Sequence, residues 1–315
     1  MKRQLFLLIA ALAFGLAGQA LAATGAGMSG TQGLKLMRGA RPASMGGAYV
    51  AVASGADSIL WNPAGMDQLR DLQASAGHLN YLDGITDDYL QVARPIYGFG
   101  AWGFGVNYLY ATDDAYDNWG NALGSFNNFD FSAQVAASME IVEDLHVGLV
   151  YKILNQGYGS NGPVAQQFSM GSAFDLGLQW RNLWKQLDLG ASASNMGTPI
   201  AQGKNYAPLP LVLKLGAAWH ATENLLFAAD YENQPYEYFN KLHLGTELAV
   251  PVGPLQTFLR AGYTLGPEND QGSLAGFGTG AGLGFGSWQL DYAYVPQGDL
   301  GATHRLSMTW SSWLF

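Results

Sequence analysis

The sequence has no cysteine, few charged residues and no long apolar run after its N-terminus. The absence of cysteine excludes a disulfide framework, a zinc site built on thiolates and a lipid anchor on cysteine. Charged residues make up 12 % of the 315 residues, which is about half of the usual share for a soluble domain. Without an apolar run of sufficient length, no transmembrane helix is predicted. The formal net charge of −9 argues against nucleic acid as a partner.

Glycine and aromatic residues are abundant instead, with 42 glycines and an aromatic share of 13 %. A chain that is poor in charge, rich in aromatic residues and without membrane helices favours a β-barrel in a membrane. A secreted all-β protein, such as a sandwich or a solenoid, fits the same composition. Composition therefore leaves both classes open.

The N-terminus has the pattern of a secretion signal. Lys2 and Arg3 precede the apolar run 5–17, and Ala20-Leu21-Ala22 provides small residues at a cleavage site. We therefore predict a signal peptide at 1–22, cleaved after Ala22, and an exported mature chain. The alternative is a membrane anchor helix, for which the apolar run is too short.

From about residue 70 onward, apolar and polar residues alternate with the period of β-strands. Trp102 and Phe104, for example, alternate with Gly103 and Gly105. Most of the predicted strands have the length that a tilted membrane crossing needs. About fourteen strands are predicted, at 71–82, 87–97, 101–111, 128–140, 145–155, 167–181, 185–195, 210–220, 223–233, 237–249, 255–265, 273–286, 287–296 and 302–315.

The connections between these strands alternate in length. If the first strand runs upward, the upper loops include 112–127, 156–166, 196–209, 266–272 and 297–301, and the lower turns are 98–100, 141–144, 182–184, 221–222, 250–254 and Gly286-Ser287. Outer-membrane barrels have long outer loops and short periplasmic turns, whereas a sandwich gives no reason for this alternation. The sequence therefore predicts an all-β fold, a transmembrane antiparallel β-barrel of about 14 strands formed by residues 71–315.

In such a barrel the polar faces of the strands line the lumen. The ionisable and amide residues on these faces are Lys152, Asp175, Gln179, Asp188, Lys214, Asp230, Lys241, His243, Glu247, Arg260, Asp291 and Arg305. Because both signs of charge occur, we expect internal pairing. These pairs either brace the wall or form part of a ligand path, and the sequence leaves both possibilities open.

Residues 23–70 do not alternate and are rich in small residues. Since about fourteen strands enclose a space too wide for their own side chains to fill, we predict that this segment forms an N-terminal hatch inside the lumen. Gly46 and Gly47 permit a close approach of backbones, and Asn62-Pro63 is a turn signal. The alternative is a disordered leader, for which Tyr49, Ile59 and Trp61 are too apolar.

Two stretches carry a resemblance to a known family. Residues 39–48 and 61–65 resemble the N-terminal signature of the PorV/PorQ group, which is related to FadL-type long-chain fatty acid transporters. Residues 291–307 resemble the closing hairpin of the same group. The middle of the chain matches only in its pattern and strand count.

The resemblance implies a hatch that carries the motif Asn62, Pro63 and Ala64. FadL-type members take up hydrophobic molecules beside a hatch that shifts, whereas PorV-type members bind exported cargo for type IX secretion. The candidate hatch and gating residues are Arg41, Gly46, Gly47, Trp61, Asn62, Pro63 and Ala64. The expected partners are outer-membrane lipid or lipopolysaccharide, a hydrophobic ligand such as a fatty acid, the barrel-assembly machinery and, for a PorV-type role, secretion-system proteins. The expected location is a Gram-negative outer membrane, and a purely structural barrel is a third hypothesis.

Glycine occupies every second position from Gly276 to Gly286. Glycine in a strand often marks the close approach of another group. Gly278, Gly280, Gly282 and Gly284 are therefore candidates for a wall against which the hatch or a ligand packs. A sharply bent wall is the alternative explanation.

Other motifs do not indicate chemistry. Gly98-x-Gly100-x-x-Gly103 matches the dinucleotide fingerprint in letters only, because a strand rather than a helix follows it. The five histidines lack the spacing of metal ligands and no serine lies in a nucleophile elbow, so we predict no enzyme, no metal site and no cofactor. Asp113, Asp114 and Asp117 could hold calcium, but solvated loop charge is the favoured interpretation.

Overall fold

The computed structural model describes residues 29–312, except 161, 164, 185, 238, 267–271 and 273. The predicted signal peptide 1–22, the first residues 23–28 of the predicted hatch and the terminal residues 313–315 lie outside this part. Within it, none of the helices combines the length and the apolar character needed to cross a membrane.

Fourteen antiparallel strands close into a barrel. Strands that follow each other in the ring are paired, and the first strand pairs with the last one along Gln73–Asn80. The barrel strands are β1 (Gln73–Asn80), β2 (Thr86–Ile96), β3 (Gly100–Tyr116), β4 (Ala122–Val142), β5 (Leu145–Ser160), β6 (Gln167–Leu183), β7 (Leu187–Gly197), β10 (Val212–His220), β11 (Leu225–Gln234), β12 (Phe239–Val252), β13 (Leu255–Leu265), β14 (Phe277–Phe285), β15 (Trp288–Pro296) and β16 (Ala302–Ser311). A small hairpin of β8 (Ile200–Gln202) and β9 (Asn205–Ala207) lies in the connection between β7 and β10. The predicted all-β fold and strand number are confirmed.

Several of the predicted boundaries are wrong. The expected loop 112–127 is mostly strand, because β3 continues to Tyr116 and β4 begins at Ala122. The expected loop 196–209 contains the hairpin β8–β9, and the strand expected from residue 273 begins at Phe277. In the first case, polar residues such as Asp113 and Asp114 occupy both faces of the hairpin, so the alternation that reveals a strand is absent.

The two faces of the wall differ as expected. Large apolar side chains such as Trp102 and Phe104 point outward and are 47 % and 44 % exposed, whereas Gln91 and Gln134 are buried inside. The residues that the sequence predicts for the lumen are buried, apart from Lys241, which is half-buried. The interior of the barrel is therefore polar and its outer face is apolar, the reverse of a soluble protein.

We call the end at Asn80 upper and the end at Gln73 lower. The longest upper connection is 198–211, whereas lower turns such as 143–144 and 286–287 are very short. This asymmetry between the two ends agrees with the sequence prediction.

The chain before β1, residues 29–72, contains only short helical pieces, and we call it the N-terminal segment. These pieces are the 3₁₀ turn Gln32–Lys35, the helices Ala40–Ser44 and Ser58–Trp61, and the 3₁₀ helix Pro63–Gln68. At the upper end, the Gly30 amide donates to the Pro208 carbonyl at 2.8 Å. At the lower end, Asp67 lies 2.9 Å from His146 at the start of β5. The segment therefore runs through the barrel from its upper to its lower end.

Candidate functional site

The inner space of the barrel holds the candidate site, and a charge cluster around Arg41 lies within it. Arg41 donates from Nε and Nη2 to the two oxygens of Glu247 on β12, both at 2.8 Å. Arg260 on β13 donates to Glu247 at 2.5 Å and to Asp291 on β15 at 2.6 Å. Glu247 therefore lies between a guanidinium of the N-terminal segment and one of the wall. Removing one partner of such a buried cluster leaves an uncompensated charge, so these contacts hold the segment to the wall.

The motif Asn62-Pro63-Ala64 is clamped between the segment and two strands. Asn62 is fully buried, and its Nδ2 donates to the carbonyls of Val50 at 2.8 Å and Leu178 on β6 at 3.1 Å. Its Oδ1 accepts from the Ala64 amide at 3.3 Å, and Pro63 takes the first helical position after it. Proline suits that position because its missing N–H would have no partner in the helix.

Glycines of the wall make room for this motif. A Cβ on Gly148 of β5 would collide with the backbone of Pro63 and Ala64, and one on Gly177 of β6 would collide with the Asn62 side chain. The motif therefore packs directly against the backbone of the wall.

Gly46 and Gly47 also lie against the wall, and both have a positive φ, of 62° and 82°. A Cβ on Gly46 would lie 2.5 Å from the Tyr263 amide nitrogen of β13. The Gly46 carbonyl accepts from Thr264 Oγ1 and from His243 Nδ1, both at 2.7 Å. Both the backbone conformation and the close contact require glycine at this point.

Trp61 belongs to a hydrophobic cluster that the segment forms with β10 and β11. Its ring packs edge-on against Tyr49 at 5.6 Å between centroids, and its Nε1 donates to the Arg38 carbonyl at 3.0 Å. The ammonium of Lys214, on β10, lies 4.7 Å from the centre of the Trp61 ring, which is within the range of a cation–π contact. Trp61 thus connects the segment to a charged residue of the wall.

The alternating glycines of β14 serve two different purposes. Gly278 and Gly280 face the segment, because a Cβ on Gly278 would collide with the Ala43 carbonyl and one on Gly280 would lie 2.6 Å from Ser44 Cβ. A Cβ on Gly282 would instead meet Asp291 and Arg260, and one on Gly284 would meet Gln256 Cβ at 3.4 Å. Only the upper half of this predicted wall thus faces the N-terminal segment.

At the upper end, Glu237 binds the first described residues of the segment. Its carboxylate accepts from Ser29 Oγ, from Gln32 Nε2 at 3.3 Å and from Lys35 Nζ at 2.6 Å. Burial alone would raise the pKa of Glu237, but the hydrogen bonds from Lys35 and Ser29 lower it below its usual value. Glu237 is not among the predicted lumen residues, although it lies in the predicted strand 237–249 with the same parity as Lys241 and Glu247, a signal that could have indicated it.

Two further buried ion pairs lie in the lumen, one between the segment and the wall and one between neighbouring strands of the wall. Arg38 binds Asp87 of β2 through two hydrogen bonds of 2.9 and 2.6 Å. Lys152 lies 2.6 Å from Asp175, as the predicted pairing of lumen charges requires. Arg38 and Asp87 are not among the predicted lumen residues. Asp87 could have been recognised, because it occupies the same inner face of β2 as Tyr89 and Gln91.

The N-terminal segment divides the lumen into an upper and a lower part. The upper cavity has a volume of about 660 Å³, and Ala43 and Gly46 form part of its floor. The lower part contains cavities of about 400 and 280 Å³, both of which Arg41 lines. The helix Ala40–Ser44 therefore presents one side to each part of the lumen.

The acidic residues of the upper hairpin are engaged within the hairpin. The carboxylate of Asp117 accepts from the amides of Trp119 and Asn121 at 2.9 and 2.8 Å, and hydrogen bonds from Asn121 lower the pKa of Asp117. Asp113 accepts from Asn128 Nδ2 at 2.5 Å. Within the described part of the chain, no group of three His, Asp or Glu side chains has the arrangement of a metal site.

The fold is similar to that of solved hydrocarbon channels and transporters. The Pseudomonas putida toluene transporter TodX gives a TM-score of 0.60 at 14 % identity, over 88 % of this chain and 98 % of that chain. A Pseudomonas aeruginosa FadL homologue gives 0.59 at 12 % identity, over 87 % of this chain and 98 % of that chain. A TodX deltaS2S3 mutant, described as a monoaromatic hydrocarbon channel, gives 0.60 at 14 % identity, with coverages of 87 % and 98 %.

These likenesses define the class of fold, a closed fourteen-stranded barrel of the FadL and TodX type. The predicted resemblance to FadL-type proteins is confirmed at this level, and none of the three names describes an enzyme. No family model matches the chain. A search of curated proteins finds no significant relative either.

Proposed function

We propose that this chain is a passive transporter for hydrophobic small molecules in a Gram-negative outer membrane, and that the N-terminal segment is its hatch. The apolar outer face of the closed wall supports a location in a membrane. The likeness in fold to TodX, which is described as a toluene transporter, and to a FadL homologue supports the class of cargo. Lipid or lipopolysaccharide surrounds the wall in this proposal, and the barrel-assembly machinery inserts it.

The observation that carries the proposal is the division of the lumen. An upper cavity of about 660 Å³ opens above the helix Ala40–Ser44, and separate cavities lie below it. A molecule that binds above can reach the lower part only if the segment shifts or if the path bypasses it. The candidate gating residues Arg41, Gly46, Gly47 and Trp61 to Ala64 all lie at contacts between the segment and the wall.

A reversible disulfide tests whether the segment moves during transport. A Cβ on Gly33 would lie 3.6 Å from the Cβ of Asp130 on β4, which is within the range of disulfide geometry. Because the native chain has no cysteine, the variant G33C/D130C contains a single pair of thiols. Cells that carry it should take up radiolabelled 1-octanol in the reduced state and lose this uptake on oxidation.

The same cells give the controls. The variant G33C alone should transport equally well in both redox states. Equal uptake by oxidised and reduced G33C/D130C would show that the upper part of the segment stays in place, and would refute its role as a moving hatch. If cells with the native protein take up no more 1-octanol than cells without the protein, transport itself is refuted.

A second candidate is a PorV-like role in secretion, in which the upper surface binds exported proteins. The observation in its favour is the hairpin β3–β4, whose tip presents Trp119 at 86 % exposure and Tyr116 at 60 %. The hydrogen bonds of Asp117 fix this tip, and a rigid exposed tryptophan is a frequent binding anchor. In a PorV-like role, W119A should lower the amount of exported protein at the cell surface, measured by mass spectrometry. In a transporter alone, W119A should leave both that amount and octanol uptake unchanged.

A further inference from the structure

Two charged side chains of the upper cavity have only long-range interactions with opposite charges that already have partners of their own among the described residues. The charged residues that line this cavity are Lys35, Asp130, Glu237, Lys241 and Arg305. Lys35 and Glu237 bind each other at 2.6 Å, and Lys241 interacts electrostatically with Glu232. This leaves Arg305 on β16 and Asp130 on β4.

Arg305 is almost fully buried, at 4 % exposure. Its Nε donates to the Met37 carbonyl at 3.0 Å and its Nη1 donates to Thr303 Oγ1 at 2.7 Å, and both acceptors are neutral. No described carboxylate lies within ion-pair distance of it, and nearby Asp87 is already bound twice by Arg38. A buried guanidinium without a counter-charge is costly, so an anion in the cavity would be stabilised at this point.

Asp130 presents the opposite case. Its carboxylate is hydrogen-bonded by Gln156 and by the Gly33 backbone, which are neutral donors. No described lysine, arginine or histidine lies within ion-pair distance of it, and Arg38, which acts on it from farther away, is already bound to Asp87. A cationic or hydrogen-bond-donating group of a ligand would therefore be favoured at this wall.

The two charges are separated by an apolar stretch of the cavity. In the ring, β1, β2 and β3 lie between β16 and β4. The apolar lining residues Tyr81, Ile85 and Leu109 belong to these strands or to their upper ends. Four strand spacings correspond to about 19 Å along the wall, and side chains that point into the lumen shorten this span. Along this side of the cavity, apolar lining residues therefore lie between the cationic Arg305 and the anionic Asp130, while the Arg38–Asp87 pair between them is not part of the lining.

We propose that the upper cavity binds an amphiphile with an anionic group at one end and a cationic or donor group at the other. The anion lies against Arg305, the chain lies along Tyr81, Ile85 and Leu109, and the donor lies against Asp130. This inference rests on the proposed function, because it names the ligand class of the same transport cavity. A plain hydrocarbon would leave both charges unpaired, and a plain carboxylate would leave Asp130 unpaired.

Four soluble probes of equal chain length test this proposal, namely 8-aminooctanoate, octanoate, octylamine and 1-octanol. Their affinities are measured by isothermal titration calorimetry at pH 7 with the full-length protein in a neutral detergent. The native protein should bind 8-aminooctanoate most tightly. R305Q should weaken 8-aminooctanoate and octanoate about tenfold, the effect of one charge-assisted hydrogen bond, and should leave octylamine unweakened.

D130N is the matched variant of opposite sign. It should weaken 8-aminooctanoate and octylamine about tenfold and leave octanoate unweakened. R305K keeps the charge and should retain the preference for octanoate over octanol. Because the two variants exchange their effects on octanoate and octylamine, a general loss of folding cannot produce the expected pattern.

The contrary outcomes are separable. If R305Q weakens all four probes equally, Arg305 acts only through its bond to Met37 and the proposed ligand class is wrong. If the native protein binds 1-octanol as tightly as 8-aminooctanoate, the ligand class is wrong while the proposed transport of hydrophobic molecules stands. If the native protein binds none of the four, the proposed function fails together with this inference.

Discussion

Replacing Asn62 with aspartate should release the lower part of the N-terminal segment without opening the barrel. The substitution keeps the shape of the side chain but replaces its NH₂ group with a second carboxylate oxygen. Two carbonyls that now accept from Asn62 Nδ2, those of Val50 and Leu178, would face this oxygen at 2.8 and 3.1 Å. The barrel strands themselves would keep all of their mutual hydrogen bonds.

The magnitude follows from the partners that are lost. The Val50 carbonyl also accepts from Gln179 Nε2 at 3.1 Å, so only the Leu178 carbonyl loses a side-chain donor without replacement. A buried polar group without a partner costs about 1–3 kcal/mol, and the burial of a charge beside two carbonyls adds to this cost. We therefore expect a total of about 3 kcal/mol, which corresponds to an increase of about a hundredfold in local opening.

Amide hydrogen exchange measured by mass spectrometry reports this opening directly. Peptides from 49–66 should exchange about a hundredfold faster in N62D, while peptides from the barrel strands serve as an internal reference. Asn205 lies exposed on β9, so N205D is the matched control and should change nothing. Native protection of 49–66 in N62D would refute the assignment of Asn62 as the residue that ties the segment to β6.

Three further predictions concern other contacts of the segment. Gly278→Ala should destabilise the packing of the segment against β14 by about 1–3 kcal/mol because the new Cβ meets the Ala43 carbonyl, whereas Gly284→Ala should be nearly neutral. Thermal unfolding measures the stability of both variants. Equal losses of stability would contradict the contact of Gly278 with the segment. Burial raises the pKa of Asp57 to about 6, so ionisation of Asp57 destabilises the folded state; this destabilisation is absent below about pH 4 and complete above about pH 6. D57N should therefore reduce protease cleavage of the segment at pH 8 but not at pH 4. An equal reduction at both pH values would contradict the raised pKa of Asp57. The lowered pKa of Glu237 means that its contacts stabilise the folded state above pH 4.5 and that this stabilisation is lost as the pH falls through the lowered value. Residues 29–35 should therefore be released in acid, which hydrogen exchange detects, and E237Q should abolish this pH dependence. An unchanged pH profile in E237Q would exclude Glu237 as the source of the release.

The barrel wall could be predicted because one physical pattern specifies it. In residues such as Trp102 to Tyr110, the period of two separates an apolar face from a polar one and so gives the strands and their outer side, while the lengths of the connections distinguish the upper end from the lower. The pattern ends where both faces are polar, so the extension of the hairpin around Asp113 and Asp114 could not be recognised. The small hairpin Ile200–Ala207 is too short to show a period at all.

The partners inside the lumen could be predicted only as a set. Alternation places Glu247, Arg260 and Asp291 on the inner face, but it does not show that Arg41, about two hundred residues earlier, pairs with Glu247. The glycine series of β14 shows the same limit, because one pattern reflects two causes. Gly278 and Gly280 admit the segment, whereas Gly282 admits the pair of Arg260 and Asp291.

The pairing of β1 with β16 has a consequence for biogenesis. The barrel closes only when β16 pairs with β1. β16 also contacts the segment, because Arg305 donates to the Met37 carbonyl and Ser307 Oγ accepts from the Ala40 amide. These contacts form only when the segment and the last strand are both in place. We therefore expect the amino-terminal stretch to take its position during biogenesis before the carboxyl-terminal strand closes the wall around it.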